Sequence, residues 1–123
     1  MIGHRTWAIA EGYIPGRSVS ESRELQSHET ACILNAADTD ANIEITLYFE
    51  DRGPAGPYRV KVPSERTLHL RFNDLQEPER VPRDTAYSSI IRSDVPVVVQ
   101  HTRLDTRDTH IALLSTVAYP VQG

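Results

Sequence analysis

The chain has 123 residues, a formal net charge of −4 and an isoelectric point near 5.7. That length suits one domain with one modest hydrophobic core, so we expect a single domain over residues 1–123. The acidic balance argues against nonspecific binding to nucleic acid or to an anionic membrane surface, because both need a positive field. The lone cysteine, Cys32, cannot form an internal disulfide and stands in the apolar run ACIL, which predicts a buried residue in a reducing cytoplasm.

Eight short apolar runs follow one another along the chain, each with the length and the β-branched or aromatic content of a strand. In order they are TWAIA, TACILN, NIEITLYFE, YRVKV, TLHLRF, SSIIRS, VVVQHT and ALLSTVAY. Alternation with a period of two is clearest in NIEITLYFE, where Ile43, Ile45, Leu47 and Phe49 share one face. Pro96 stands near the predicted start of VVVQHT, where a missing N–H donor is tolerable.

The connections between these runs are rich in turn residues. EDRGPAGPY, between the third and fourth strands, is typical of a hairpin loop. GRSVSESRELQ (residues 16–26) and NDLQEPERVPRD (residues 73–84) are polar and long enough to form binding loops or to rim a pocket. One helical turn is predicted near DLQEPE, and the following prolines would end it. Together these features predict an all-β fold: an antiparallel β-sandwich of about eight short strands with little or no helix.

The sequence has no recognisable catalytic or metal-binding signature. HETAC begins like a zinc-protease motif, but Cys32 replaces the second histidine, and on a strand it would stand about 14 Å from His28. The five histidines are scattered, so a metal site assembled in space stays open, but hydrogen bonding within the structure or at an interface is favoured. There is no GxSxG nucleophile elbow and no glycine-rich phosphate loop. We therefore expect no catalytic residue, no metal and no cofactor.

Two predicted strands each carry a His-x-Arg pair. His69 and Arg71 lie together on one face of TLHLRF, and His101 and Arg103 lie together on one face of VVVQHTRLD. If the two strands are neighbours, the four side chains form a platform suited to carboxylates, sugar hydroxyls or acidic residues of a partner. The alternatives are a solvated outer face with weak surface ion pairs and an interface between identical chains.

The only tryptophan, Trp7, stands in WAIAEGYIP together with Glu11 and Tyr13. Trp7 and Glu11 could stack on a sugar-like ring and hydrogen-bond to it. A single tryptophan in a small β-domain is more often a core residue, and burial statistics favour that role here.

Seven segments, in order, cover nearly the whole chain: WAIAEGYIP, SHET, CILN, GPYR, RFNDL, VVVQHTRLD and ALLSTVAY. With these segments the chain resembles the sensory rhodopsin transducers, small soluble proteins of the kind found with a cyanobacterial photoreceptor. The resemblance implies an all-β sandwich, assembly into a homotetramer and no enzymatic activity. It implies docking on the cytoplasmic side of a seven-helix retinal photoreceptor to carry its signal onward. It also implies small-molecule binding, with sugars or related metabolites as the suggested ligands.

The motif residues of the family fall on a set of mostly polar positions that we expect to build a pocket or a subunit interface. They are Trp7, Glu11, His28, Asn35, His69, Arg71, Asn73, Asp74, Gln100, His101 and Arg103. A pocket that changes occupancy, or an interface that changes packing, can pass a change of state to a partner. The leading hypothesis is therefore a non-catalytic, cytoplasmic, homo-oligomeric signalling protein that binds a partner, a small sugar-like ligand or both.

Two hypotheses from other classes stay open. One is a carbohydrate-pathway enzyme or accessory protein, with His28, His69 and His101 as acid–base groups. The other is an architectural DNA-binding protein, a role proposed for the namesake of the family, which the acidic charge of this chain disfavours. A steep dependence of DNA binding on salt concentration would support it.

Overall fold

Eight strands make up the fold of residues 1–122, and the pairings between them are antiparallel. The computed structural model describes residues 1–122. The strands are β1 (His4–Ile9), β2 (His28–Asn35), β3 (Ala41–Phe49), β4 (Ala55–Val62), β5 (Arg66–Arg71), β6 (Tyr87–Asp105), β7 (Ala112–Val117) and β8 (Tyr119–Pro120). Within the described residues the helical elements are two 3₁₀ turns, Arg23–Leu25 and Phe72–Asp74, the second just before the predicted turn. The prediction of an all-β sandwich is confirmed.

The strands form two sheets that share one long strand. The first sheet has the order β4-β3-β6-β1-β8, and the second has the order β5-β2-β6-β7. The 19-residue β6 pairs with β3 as far as Ser93 and with β2 from Val98 onward. Pro96 lies between, where β6 passes from one sheet to the other and a missing N–H donor costs no bond to β2 or β3. The prediction of two separate strands here was wrong.

The last predicted strand, ALLSTVAY, is divided between the two sheets. β7 pairs with β6 in the second sheet, and β8 pairs with β1 in the first. Between them Ala118 is buried, and its N–H donates to the carbonyl of Val99 at 3.0 Å. The chain therefore changes sheet at Ala118, which a run of apolar letters does not reveal.

The hydrophobic core lies between the two sheets. The predicted alternation of β3 is confirmed, because Ile43, Ile45 and Leu47 are buried. The second sheet contributes inward side chains to the same core, among them Ala31, Ile33 and Val99. Burial of each large aliphatic side chain stabilises the fold by about 1.5–3 kcal/mol. No helix within residues 1–122 is long and apolar enough to cross a membrane.

Candidate functional site

One carboxylate, that of Glu29 on β2, is fully buried inside the sandwich and has four hydrogen-bond partners. Its Oε1 accepts from the hydroxyl of Tyr87 at 3.0 Å and lies 3.0 Å from Nε2 of His101. Its Oε2 accepts from Nε of Arg103 and from the backbone N–H of Tyr13, the latter at 3.1 Å. We call Glu29 and these four partners the Glu29 network.

The strand register positions this network. Glu29 pairs with Arg103 and Ala31 pairs with His101 across the β2–β6 ladder. Directly paired residues project on the same face of a sheet, so these side chains turn inward together. Tyr87 reaches the same carboxylate from the first half of β6, which belongs to the other sheet. The network therefore ties the two sheets to each other.

Opposing effects set the charge of Glu29. Burial by itself raises the pKa of this carboxyl, but hydrogen bonds from His101 and Arg103 outweigh burial and hold the pKa below its ordinary value. The pKa of Tyr87 lies well above its usual range, because the hydroxyl is buried and faces the anionic Glu29, to which it donates. At neutral pH Glu29 is therefore ionised and Tyr87 is protonated.

Arg103 connects the Glu29 network to the surface. Its Nη2 donates to Oε2 of the exposed Glu11 at 2.7 Å. The interior end of the network is closed, since His101 is only 2% exposed. A general acid or base must come within hydrogen-bond reach of its substrate, which this burial prevents. The arrangement is suited to holding charge in place rather than to transferring protons.

The expected platform of two His-x-Arg pairs does not form. β2 lies between β5 and β6, so the two strands that carry the pairs are not neighbours. His69 pairs with Cys32 and faces outward, whereas His101 pairs with Ala31 and faces inward. The prediction was wrong because strand order depends on tertiary pairing, which one strand's pattern does not encode. Because His101 faces the interior and His28 and His69 face outward, His101 cannot act with them as an acid–base group.

A groove of about 440 Å³ crosses the outer face of the second sheet. This outer groove is lined by Arg23, His28, Thr30, Cys32, His69, Arg71 and Thr102. The imidazole Nδ1 of His28 lies 2.7 Å from the carbonyl of Gln26. Partial burial, and then the charges of Arg71 and Arg23, lower the pKa of His28. Cys32 is half-buried in the groove, so the prediction of a buried cysteine was wrong: its position on β2 is an outward one.

The two irregular segments lie against each other and line one polar cavity of about 410 Å³. This loop cavity is lined by Pro15, Gly16, Ser18, Ser20, Glu21, Gln26, Ser27, Asn73, Asp74, Arg80 and Arg83. Asn73 joins the segments, because its Nδ2 donates to the carbonyl of Ser27 at 3.0 Å. Its Oδ1 accepts from the backbone N–H of Glu29 at 3.3 Å. One amide side chain therefore contacts both the loop cavity and the Glu29 network.

An ion pair separates the loop cavity from the outer groove. Arg23 donates from Nη1 and Nη2 to the two carboxylate oxygens of Asp74, at 3.2 and 2.7 Å. This bond, and then the charges of Arg71 and Arg83, hold the pKa of Asp74 below its ordinary value. Asp74 lines the loop cavity and Arg23 lines the outer groove, so both spaces border the same pair.

Three other residues of the predicted site do not line these spaces. Trp7 is a core residue, as favoured from burial statistics, and its Nε1 donates to the carbonyls of His4 and Val97. Asn35 is buried, and its side chain bonds four backbone groups, two in the turn before β3 and two at the end of β4. Gln100 is exposed on the outer face of the second sheet. Trp7 and Asn35 are therefore closed to a ligand.

Sequence reasoning missed Glu29 and Tyr87. A signal for Glu29 exists, because this charged residue is in phase with Ala31 and Ile33, two apolar positions of the same strand. A charge at an inward position requires bonded partners, so it predicts a buried network. Tyr87 has no comparable signal, since it meets Glu29 only across the folded sandwich.

In the part of the chain that the structure describes, no further cluster of predicted site residues and no metal centre is found. Within residues 1–122, no group of three or more histidine, cysteine, aspartate or glutamate side chains could hold a metal ion. A larger cavity of about 630 Å³ lies on the outer face of the first sheet. Both carboxylates of its lining have partners, since Glu44 lies 3.7 Å from Arg59 and Asp94 accepts from Asn42.

Strand β7 is exposed along its whole length. It pairs with β6 on one side, and its other edge is unpaired within the part of the chain that the structure describes. Leu113, Leu114 and Val117 are 70%, 49% and 59% exposed. An edge strand with apolar side chains on both faces is a surface suited to pairing with another chain.

Comparison with known proteins agrees with this architecture. The family model described as Anabaena sensory rhodopsin transducer matches residues 2–120. The solved structure of the Anabaena sensory rhodopsin transducer is 54% identical, with a TM-score of 0.72 over 82% of this chain and 97% of that chain. The crystal structure of Thermotoga maritima 1070 is 38% identical, with a TM-score of 0.88 over 100% of this chain and 99% of that chain. No curated protein matches the chain. Because the family model covers nearly the whole sequence, the chain belongs to the Anabaena sensory rhodopsin transducer family.

Proposed function

We propose that this chain is a non-catalytic, cytoplasmic signalling protein that acts by reversible binding. It assembles with copies of itself into a tetramer and docks on the cytoplasmic side of a membrane photoreceptor. It also takes up a small sugar-like ligand. Membership of a transducer family supports the signalling role, and the closed Glu29–His101 pair supports a role without catalysis.

The observation that carries the proposal is the exposure of β7. Its side chains Leu113 and Val117 are more than half exposed, and its free edge presents unpaired backbone groups. Such an edge associates with another strand unless charge, proline or a covering element protects it. We assign this edge to a second copy of the chain, because antiparallel pairing of β7 with itself about a twofold axis closes the contact. Two such dimers form a tetramer through one further interface that also has twofold symmetry.

To pass a signal from a ligand to a partner, the protein needs a group that is affected both by ligand binding and by partner binding. Asn73 supports such a relay, since its amide holds the wall of the loop cavity and also accepts from the backbone of Glu29. A ligand that changes the position of Asn73 would change the bonding of Glu29, and with it the contact between the two sheets. Two binding sites are coupled when ligand binding and partner binding both shift the same conformational equilibrium.

Two measurements test this proposal. Light scattering during size-exclusion chromatography should give the mass of four chains for the native protein. Titration into nanodiscs that contain Anabaena sensory rhodopsin should give saturable binding, because the solved structure that carries this photoreceptor's name is 54% identical to the chain. Leu113→Glu should lower the mass of the assembly, since it places a charge in the proposed contact.

Val19→Glu is the matched control, because Val19 is an exposed apolar residue of a loop that does not belong to β7. It should leave the assembly unchanged. A monomeric native protein, or a Leu113→Glu variant with the native mass, would contradict the assembly. Absence of binding to the nanodiscs at micromolar concentrations would contradict docking on the photoreceptor.

A further inference from the structure

Four guanidiniums gather where the loop cavity meets the outer groove. Arg23 is bonded to Asp74, and Arg71 and Arg83 act on the same carboxylate through their charges. Arg80 lines the loop cavity beside Arg83, and its charge disfavours the protonated form of that neighbour. We call these four residues the arginine cluster.

Positive charge in this region is not balanced by the protein. The two spaces are lined by all four members of the arginine cluster and by two carboxylates, those of Asp74 and Glu21. Four guanidiniums against two carboxylates leave two uncompensated positive charges. The chain as a whole carries −4, so the local sign is opposite to the overall sign. A concave site with a field of this kind concentrates anions.

Three members of the cluster have no carboxylate within 4.0 Å in the described part of the chain: Arg71, Arg80 and Arg83. Arg71 donates from Nη1 to the carbonyl of Arg23 at 2.9 Å, and its remaining N–H groups have no acceptor among residues 1–122. Arg83 is held by the carbonyls of Val81 and Asn73. Burial lowers the pKa of both Arg71 and Arg83, because each guanidinium is partly removed from water and the charge of Asp74 offsets this only in part.

We propose that the arginine cluster binds a small, hydroxyl-rich anion, such as a sugar acid or a sugar phosphate, with its anionic group against the guanidiniums. Arginine matches both carboxylate and phosphate by paired N–H donors. The loop cavity has the volume of a small-molecule site. This inference gives the charge and the location of the small ligand, and therefore rests on the ligand-binding part of the proposed function.

Hydroxyl recognition follows from the rest of the lining. Ser18 and Ser20 each accept a backbone N–H, from Ser27 at 2.8 Å and from Ser22 at 3.1 Å, so their own O–H groups can still donate. Gln26 adds an amide with both donors and acceptors. The lining of the loop cavity therefore combines guanidiniums with hydroxyl and amide groups, which fits a ligand with one anionic group and several hydroxyls. A long polyanion would need a more extended basic surface.

The test is isothermal titration of the native protein with glucose 6-phosphate, gluconate, glucose and inorganic phosphate. We expect glucose 6-phosphate, gluconate or both to bind, and glucose to bind at least tenfold more weakly. Higher salt concentration should weaken the binding of the anions, because it screens their interaction with the guanidiniums. Comparison of the two anions distinguishes a phosphate from a carboxylate ligand. Inorganic phosphate should bind more weakly than the sugar phosphate, because it lacks the hydroxyls that the serines would bind.

Arg80→Gln should weaken binding of the anion about tenfold or more, since it removes a charge-assisted hydrogen bond. Arg80 is exposed and makes no hydrogen bond or ion pair in the described residues, so its replacement should not disturb folding. Arg71→Gln is the second variant and should act in the same direction. Arg5→Gln is the matched control, because Arg5 is exposed on β1 and outside both lined spaces.

Several results would overturn the inference. Equal affinity for glucose and the two anions would remove the anion selectivity and leave a neutral sugar site. Full affinity in both Arg80→Gln and Arg71→Gln would place the ligand elsewhere. Failure of both anions to bind at millimolar concentration, or binding of anionic vesicles or acidic peptides alone, would also overturn it. Tetramer formation and photoreceptor docking are measured separately, so these results leave them standing.

Discussion

Glu29 stands where the pattern of β2 calls for an apolar side chain, in phase with Ala31 and Ile33. A buried carboxylate without partners costs several kcal/mol, so its presence depends on the three side chains and one backbone N–H that bind it. A slip of β2 by one residue would turn Glu29 outward and leave Tyr87 and His101 without an acceptor. Glu29 therefore specifies the register of β2 against β6.

Glu29→Gln should lower the free energy of unfolding by about 1–3 kcal/mol, because the amide cannot satisfy the donors that face the carboxylate. Urea unfolding at pH 7 and fixed chain concentration measures this loss. Glu44→Gln is the matched control, since Glu44 is more than half exposed and its nearest cation, Arg59, is 3.7 Å away. The control should change stability by no more than about 0.5 kcal/mol. Equal effects of the two variants would contradict a special role for the buried carboxylate.

The stabilisation by Glu29 should depend on pH in a definite direction. Its pKa in the folded protein lies below its ordinary value, because the bonds from His101 and Arg103 outweigh burial. The contribution is therefore fully present above the unfolded pKa of about 4.3 and is lost as the pH falls through the lower folded value. The difference in stability between native protein and Glu29→Gln should be constant between about pH 5.5 and 7 and shrink in more acidic solution. A difference that grows with acidity would contradict this assignment.

Tyr87→Phe should remove a hydrogen bond between a buried hydroxyl and an ionised carboxylate, 3.0 Å long. Bonds of this type contribute about 1.5–3 kcal/mol, and we expect a loss of that size in urea unfolding. Tyr48→Phe is the control, because Tyr48, on the neighbouring strand β3, is 40% exposed. A loss in Tyr87→Phe no larger than in this control would mean that water or another donor replaces the hydroxyl.

Among the strands and loops, alternation, short apolar runs and the turn residues between them were together enough to predict most strands and the fold class. Alternation correctly placed Ile43, Ile45 and Leu47 in the core, because residues two positions apart project on the same face of β3. It failed where one strand serves two sheets. Pro96 indicated a strand start, yet it lies at the transfer of β6 between sheets. Such transfers depend on which strands flank the chain, and this is a tertiary property.

The same limit explains the candidate site. The sequence placed His101 and Arg103 on one face, and they do lie together. The sequence could not show that β2 separates His101 and Arg103 from the pair on β5, because the pattern of a single strand does not determine strand order. The polar segments at residues 16–26 and 73–84 were recognisable as pocket-forming, because their composition excludes them from the sheets.

The β3–β4 hairpin provides a test at this scale. Gly56 has a φ of +136° opposite an irregularity in the ladder, and a Cβ there would lie 2.8 Å from the carbonyl oxygen of Ile45. Gly56→Ala should therefore destabilise the protein by about 1–3 kcal/mol in thermal or urea unfolding. Gly53→Ala, in the same hairpin, meets no atom within 4 Å and should be within about 0.5 kcal/mol of native. Similar stabilities for the two variants would contradict the described backbone of β4.

At the scale of the whole molecule, the polar groups divide between two tasks. Inside the sandwich, the Glu29 network joins the sheets and is closed to solvent at His101. Outside, the arginine cluster and β7 present charge and apolar surface to other molecules. Asn73 is the contact between the two regions. This division agrees with the reversible, non-covalent binding that we propose.

Self-assembly should make thermal stability depend on concentration, because association of folded chains stabilises them by mass action. The midpoint of unfolding should rise as the chain concentration is raised tenfold, by an amount that calorimetry resolves. Leu113→Glu should reduce this dependence, since it weakens the proposed contact through β7. A native midpoint independent of concentration would argue for a monomer.

Hydrogen exchange at single-amide resolution measures whether a second copy of the chain covers β7. In one chain, β7 pairs with β6 on one side, so alternate amides of residues 112–117 point to the free edge. Our account predicts slow exchange at these amides in the native assembly and fast exchange in Leu113→Glu. Fast exchange at the free edge in a sample that has the mass of the assembly would contradict it.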